Sequence, residues 1–367
     1  MRDETARDLR ELIAIDSVNP SLVPGGAGES AIAAHLVETL RRMRIDAVTQ
    51  EAAPGRPNVI AVIEGRKPGR SLMLCGHSDT VGVEGMAAPF DPIERDGRMY
   101  GRGAQDMKGG VASILGAART IASEGLDAGS VVIALVADEE YASIGAEALV
   151  KEWSADAAVV TEPTDLMIGI GHKGFEWVEV TTEGVAAHGS RPDEGVDAIA
   201  HMGRVLNRLE ALQRALASKP HPLLGPPSLH ASLVTGGREL SSYPDRCTLH
   251  LERRVVEGER EGIALEETQK ILDALHAEDA QFRATAKLNF ARRPYVTPPD
   301  HPLLASQGKT GAMTFWTDAA ILGAAGIPSV VFGPGGAGLH SIEEYVRVDE
   351  VHGCSDALVA LIRRFCA

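Results

Sequence analysis

Ser130-Val131-Val132-Ile133-Ala134-Leu135-Val136-Ala137-Asp138-Glu139-Glu140 is the stretch on which the fold turns. Its apolar run is far too short to span a membrane and too continuous for a strand with one wet face. It reads as a strand buried on both sides. Three acids follow at once. Adjacent carboxylates at the end of a buried strand repel one another unless cations or protons compensate, the alternative being a solvated turn.

The same pattern repeats on either side. Residues 58–63, 71–75 and 157–160 read as further strands, and 109–123 and 144–153 as helices between them. Two helices precede, over 5–15 and 29–43; the first stops near Ser17-Val18-Asn19-Pro20, where proline and its neighbour disfavour helix. Such alternation predicts an α/β fold, a mostly parallel sheet sandwiched by helices. After Gly171 the pattern changes to strand 177–182, helix 198–216, strands 229–235 and 246–255, helix 265–276 and a strand near 281–288. A strand–helix–strand–strand–helix–strand order predicts an inserted α+β, ferredoxin-like domain. Residues 294–302 mark the return, and helix 319–325, strand 329–332 and helix 355–365 complete the first sheet. One domain is therefore expected over 1–171 and 290–367, with 172–289 inserted into it.

Composition fits two soluble domains: 367 residues, 44% hydrophobic and 24% charged. A net charge of −15 argues against nucleic acid and anionic membrane as partners. Cys75, Cys247, Cys354 and Cys366 show no CxxC spacing, which points to a reducing compartment. The N-terminus leads into an amphipathic helix and not an apolar signal, and no run of 18 apolar residues occurs, so the cytoplasm is the expected location.

The chemistry lies in motifs that follow the strands. His77 and Asp79 stand two apart in Gly76-His77-Ser78-Asp79, so on an extended chain they point the same way and the carboxylate can steady the imidazole. Gly101-Arg102-Gly103-Ala104-Gln105-Asp106-Met107-Lys108-Gly109-Gly110 is glycine-rich but lacks both the dinucleotide pattern and the Gly-Lys-Ser/Thr of a phosphate loop. Asp106 suits bridging two cations, or else capping the helix that follows. In Asp138-Glu139-Glu140 adjacent side chains diverge, so one carboxylate can hold metal while the other meets water. Glu162, after 157–161, repeats the strand-then-acid arrangement, and a glycine-rich turn leads from Phe332 to His340. Together they predict a two-metal hydrolase, in which cations about 3.5–4 Å apart share a water and lower its pKa.

In these residues the chain resembles the M20 metallopeptidases, the clan of acetylornithine deacetylase, succinyl-diaminopimelate desuccinylase, aminoacylase-1 and glutamate-releasing carboxypeptidases. The likeness runs over nearly the whole length, through Gly76-His77-Ser78-Asp79-Thr80, Gly101 to Gly109, Asp138-Glu139-Glu140 with Gly145-Ala146, Glu162-Pro163, and Gly333-Pro334-Gly335 with His340. The resemblance implies two divalent ions, zinc with cobalt or manganese able to substitute. Asp106 would bridge them, His77 and Glu162 completing one site and Glu140 and His340 the other. Glu139 would be the general base acting on a metal-bridging hydroxide, with Asp79 behind His77. His188 matches an insert histidine that stabilises the oxyanion, often across a dimer through the insert, and Arg254 matches an arginine that clamps a substrate carboxylate.

The substrate implied is an N-acyl-amino acid, cleaved at its amide bond. A dipeptidase or carboxypeptidase of the same clan is the nearest alternative, and a catalytically silent metal-binding protein is a remote one. Two departures concern substrate recognition. Ser241 stands in Leu240-Ser241-Ser242-Tyr243-Pro244 where family members often carry asparagine, and the stretch 301–317 before Thr317-Asp318 is short.

Overall fold

In this computed structural model, which describes residues 2–305 and 308–367, the apolar run from Ser130 is the second strand of a parallel block. The main strands of the sheet are β1 (Ala47–Ala53), β2 (Arg56–Glu64), β3 (Ser71–His77), β4 (Ser130–Val136), β5 (Ala157–Val160), β6 (Ile168–His172) and β7 (Ser329–Val331). Their order is β1-β2-β4-β3-β5-β7-β6. Strands β4, β3, β5 and β7 run parallel, while β1, β2 and β6 run antiparallel to their neighbours.

Successive strand residues point to opposite faces, and both faces here are covered. Leu72, Leu74, Val131, Ile133 and Leu135 cluster with apolar residues of helices Arg2–Ile13, Ser30–Arg42, Gly109–Glu124 and Val348–Phe365. Met73, Val132, Ala134 and Ala158 are also buried and face the other way, where helices Ile144–Glu152 and Ala319–Ala324 pack. Each buried Leu or Ile contributes roughly 1.5–3 kcal/mol relative to exposure. The closing helix begins at Val348, seven residues before the sequence places it. Gly353 weakens helix propensity there, but Val348, Val351 and Cys354 are buried, and that packing decides.

The chain divides into two compact units, Met1–Ile170 with Thr297–Gly311 and Thr317–Ala367, and Gly171–Val296 with Ala312–Trp316. The second therefore extends past the expected 289. Strand Arg283–Arg292 stays paired with Gly174–Glu183 as far as Arg292 opposite Phe175. Trp316 belongs with it too, its indole N–H donating to the Arg293 carbonyl and its ring edge-on to Phe175 at 6.2 Å.

Within that unit the strands stand in the order Ser228–Gly236, Arg246–Val255, Gly174–Glu183, Arg283–Arg292, all antiparallel, the ferredoxin-like arrangement. Helices Ala198–Ala217 and Ile263–Glu278 cover one face through Met202, Val205, Leu209, Leu272 and Leu275. By strand alternation Phe175 and Trp177 lie on the opposite face, where Phe290 stacks against both. The edge strand Ser228–Gly236 exposes Leu233 and Val234. In the stretch 301–317, Pro302–Ala305 forms one tight turn and Thr310–Met313 a short strand; Ser306 and Gln307 lie outside the described residues. Among the described residues no helix is long and apolar enough to cross a membrane.

Candidate metal centre

The parallel strands deliver their acids to one place. His77 is the last residue of β3, and Glu139, Glu140 and Glu162 lie just beyond β4 and β5. Asp106 sits in the irregular turn Ala104–Lys108, which opens with Gly103 at φ 77° and runs into Gly109–Glu124. It does not cap that helix, whose N-cap position is Lys108. The Asp106–Met107 peptide is cis. His340 comes from the loop after β7, with a positive φ of 58°.

Asp106 is the joint of the cluster. Its Oδ1 lies 3.1 Å from His77 Nε2 and its Oδ2 3.2 Å from His340 Nε2, so each oxygen serves a different imidazole. His340 Nε2 is also 3.2 Å from Glu140 Oε2, and His77 Nε2 is 3.8 Å from Glu162 and 4.0 Å from Glu139. Donor atoms of His77, Glu139 and Glu162 all fall within 4.8 Å of one another, as do those of His77, Asp106 and Glu140. His340 is the exposed member, its side chain 55% accessible.

Asp79 meets the His77 ring with its main chain more closely than with its carboxylate. His77 Nδ1 sits 3.0 Å from the Asp79 carbonyl oxygen, which can only accept, so Nδ1 carries hydrogen and Nε2 faces the acids. The Asp79 carboxylate is 3.5 Å from that ring and mostly serves elsewhere. It accepts the backbone N–H of Glu139 and of Glu140, at 3.1 and 3.2 Å, and the side-chain amide of Asn19 at 2.7 Å. It thus holds the acid pair by the backbone as well as flanking the histidine.

Behind it is a buried network that the sequence did not reveal. Asn19 also donates to Asp138 Oδ1 at 3.0 Å, and Arg56 reaches Asp138, Asn19, Ser21 and, through two nitrogens, Glu29. Asn19, Glu29, Arg56 and Asp138 are all buried. A second network lies across the site. The buried Glu344 accepts backbone N–H groups from Gly103, Gln105 and Asp106, together with Arg102. The buried Lys108 donates to the Ile15 carbonyl, and burial pulls its pKa down to about 7.

The charge balance of the cluster invites cations. Burial and then the charge of Glu162 push Glu139 well above the usual carboxylate range; burial does the same to Glu162. Glu140 is raised to about 7 by burial and by Asp106. Burial would lower His77, but the Glu162 charge and the hydrogen bonds of Asp106 and Asp79 outweigh it and leave the ring well above its ordinary value. Hydrogen bonds to Asp106 and Glu140 lift His340 to about 10. Glu140 Oε1 is buried with no hydrogen-bond partner among the described residues. Carboxylate and imidazole donors in this density, with one oxygen unsatisfied and one carboxylate shared between two histidines, fit divalent metal.

The other three expected residues belong to the second unit. His188 is exposed on a loop, its Nδ1 2.8 Å from Ser190 Oγ. Ser241 is exposed too, its carbonyl accepting the Gly189 N–H at 2.7 Å, so it shapes the histidine's loop through main chain. Arg254 pairs with Glu252 at 2.7 Å and lies over the Phe175 ring at 5.3 Å.

Known proteins resemble the chain over nearly its whole length. The sequence pattern of peptidase family M20/M25/M40 matches residues 73–364. An acetylornithine deacetylase of Myxococcus xanthus is 32% identical, covering 98% of this chain and 96% of its own length. One from Vibrio vulnificus is 29% identical over 97% of both. A tripeptidase of Staphylococcus aureus superposes with a TM-score of 0.85 at 21% identity, covering 100% of this chain and 99% of its own. A dinuclear metal-binding M20 peptidase of Bacillus subtilis gives 0.75 at 17% identity, with 100% and 98% covered.

Proposed function

The chain belongs to peptidase family M20/M25/M40 and is a metal-dependent amide hydrolase, and from that premise we propose that it deacylates an N-acyl-amino acid. The deacetylase relatives, similar over nearly the full length, favour acetyl as the acyl group and a basic amino acid such as ornithine as the other half. The observation that carries the reading is Asp106, its two oxygens turned to His77 and His340 beside the half-buried Glu139 and Glu140 and the buried Glu162.

His77, Glu162 and Asp106 would hold one divalent ion and Glu140, His340 and Asp106 a second. Such ions supply Lewis acidity, polarising a carbonyl oxygen and making water acidic enough to ionise near neutral pH. Zinc suits this nitrogen and oxygen set, as do cobalt and manganese. Glu139, whose proton affinity is raised by burial and Glu162, takes the proton of the attacking water and returns it to the leaving amine. The Asp79 carbonyl fixes the His77 tautomer, and the Asp79 carboxylate holds Glu139 and Glu140 by their N–H groups. His188 donates to the developing oxyanion, a contact worth roughly 3–4 kcal/mol in comparable holes. Arg254 pairs with the substrate carboxylate, exchanging Glu252 for it, and Ser241, whose carbonyl holds the Gly189 N–H, supports recognition through the His188 loop.

A homodimer through the second unit accompanies this reading, supported by the edge strand Ser228–Gly236, whose outer side pairs with no strand among the described residues and which exposes Leu233 and Val234. Four unpaired, buried cysteines support a reducing location, the cytoplasm.

The test is turnover of a panel of N-acyl-amino acids and dipeptides by zinc- or cobalt-loaded protein, with Glu139→Gln alongside. Deacylation abolished by chelator and by the substitution supports the proposal. Preference for dipeptides would replace it with a peptidase assignment, and metal uptake without any amide cleavage would leave only a metal-binding protein.

A further inference from the structure

The His340 loop is the weak flank of the centre. Its neighbours in the cluster stand at strand ends or in buried turns, whereas His340 is half exposed, four residues before Glu344. Glu344 is buried and uses both oxygens fully. Oε2 accepts Arg102 Nη1 at 2.6 Å and the Gly103 N–H at 3.1 Å. Oε1 accepts the Gln105 N–H at 2.8 Å and that of Asp106 at 3.1 Å. Two more bonds tie the same loop to the same turn: the Gly101 N–H donates to the Glu344 carbonyl at 3.2 Å, and Arg102 Nη2 to the Ser341 carbonyl at 3.0 Å.

We propose that Glu344, with Arg102, is a positioning residue for the metal site formed by Asp106, Glu140 and His340, a role that rests on the two-metal reading above. Glu344 touches no metal donor by its own side chain except through the main chain of Asp106. It fixes where the Asp106 turn begins and where the His340 loop lands upon it, and so sets the 3.2 Å approach of His340 to Asp106. Only a carboxylate can do this. Four donors converge on it, and a carboxylate offers about four acceptor positions and no donor. A glutamine must turn its NH2 either toward Arg102 and Gly103 or toward Gln105 and Asp106, setting donor against donor in a buried place.

The effect should be one-sided. His77 and Glu162 stand at the ends of strands of the parallel block and the His77 ring is held by the Asp79 carbonyl, so without Glu344 their site keeps two of its three holders in place and is disturbed only through the shared Asp106. The site that depends on the His340 loop does not keep two.

The experiment counts and titrates zinc on chelator-stripped full-length protein, by elemental analysis and by competition with a chromogenic chelator. Thermal unfolding in chelator reports the fold. Wild type is expected to take up two ions. Glu344→Gln is expected to weaken one of them about 10–100-fold, the size of change that removing a supporting partner gives, and to leave the other near its wild-type affinity. Glu344→Asp keeps all four acceptor positions and should restore part of the loss. His340→Ala should weaken the same single ion, and adding Glu344→Gln to it should weaken that ion little further. If Glu344→Gln does not fold, Arg102→Lys, which drops the Ser341 tether, is judged by the same criterion. Two ions bound at wild-type affinity by the variant, or both weakened equally, would overturn the inference alone. A wild type that binds no zinc would overturn the two-metal reading and the inference with it.

Discussion

Replacing Arg56 with methionine tests the buried network behind the site. The guanidinium contacts Glu29 through two nitrogens, Asp138 Oδ1 at 2.9 Å and Asn19 Oδ1 at 3.2 Å, and side-chain exposure is 9% for Arg56 and 0% for Glu29. Methionine fills much of the space but leaves two buried carboxylates without their cation. Breaking a buried pair from one side costs about 3–5 kcal/mol, because the remaining charge stays desolvated. The sign of the pH dependence follows from Glu29, whose pKa burial already raises despite Arg56. An acid raised in the folded state above its unfolded value opposes folding as pH climbs through that interval. Removing Arg56 raises it further, so the deficit should be largest at pH 7 and should shrink toward pH 5. Urea unfolding followed by circular dichroism, in chelator at both pH values, measures it. A deficit under about 1 kcal/mol at pH 7, or one unchanged at pH 5, would refute the reasoning. Adding Glu29→Gln to the variant should recover part of the loss.

Other outcomes can be checked directly. Glu139→Gln should lower kcat by about 10²–10⁴-fold while zinc content stays at the wild-type level, since the residue moves a proton and is not needed to hold metal; lost zinc would mean that it is a ligand. Asp79→Asn should weaken zinc about 10–100-fold in a chelator titration, because Asp79 supports both acids by their backbone. His172 is fully buried, and burial lowers its pKa to about 4. A base kept neutral in the fold withdraws stability as pH falls from its unfolded value toward its folded one, here about 2 kcal/mol between pH 6.5 and 5. His172→Phe should flatten that part of the stability profile, and an unchanged slope would exclude the role.

What was legible in the sequence was whatever has a period or a fixed neighbour. The strands at 130, 157 and 246 show as unbroken or alternating apolar residues, and the structure starts them at the same residues. The donors that meet at Asp106 were legible because each follows such a strand or sits among glycines. Asn19, Glu29, Arg56 and Glu344 were not, since a buried polar residue betrays itself only by its partner, and these partners lie far along the chain. Asn19 looked like the end of a helix; in the fold its amide separates Asp79 from Asp138. The strand Ala47–Ala53 was missed for a related reason. As an edge strand in which only Ala47 and Gln50 are buried, it shows less apolar pattern than the block it joins.

The order of the donors along the chain bears on how the protein is made. A ribosome delivers His77, Asp106, Glu139, Glu140 and Glu162 first, then the whole second unit, and His340 only after it. Until then the apolar side of the first sheet also lacks helix Val348–Phe365, which supplies Val351, Leu358, Ile362 and Phe365 to its core. The growing chain therefore carries a dense set of acids and an uncovered apolar face together, for as long as the second unit takes to translate. Its second metal site can close only after His340 has been made, so the two sites are completed in sequence, the one built on His77 and Glu162 first.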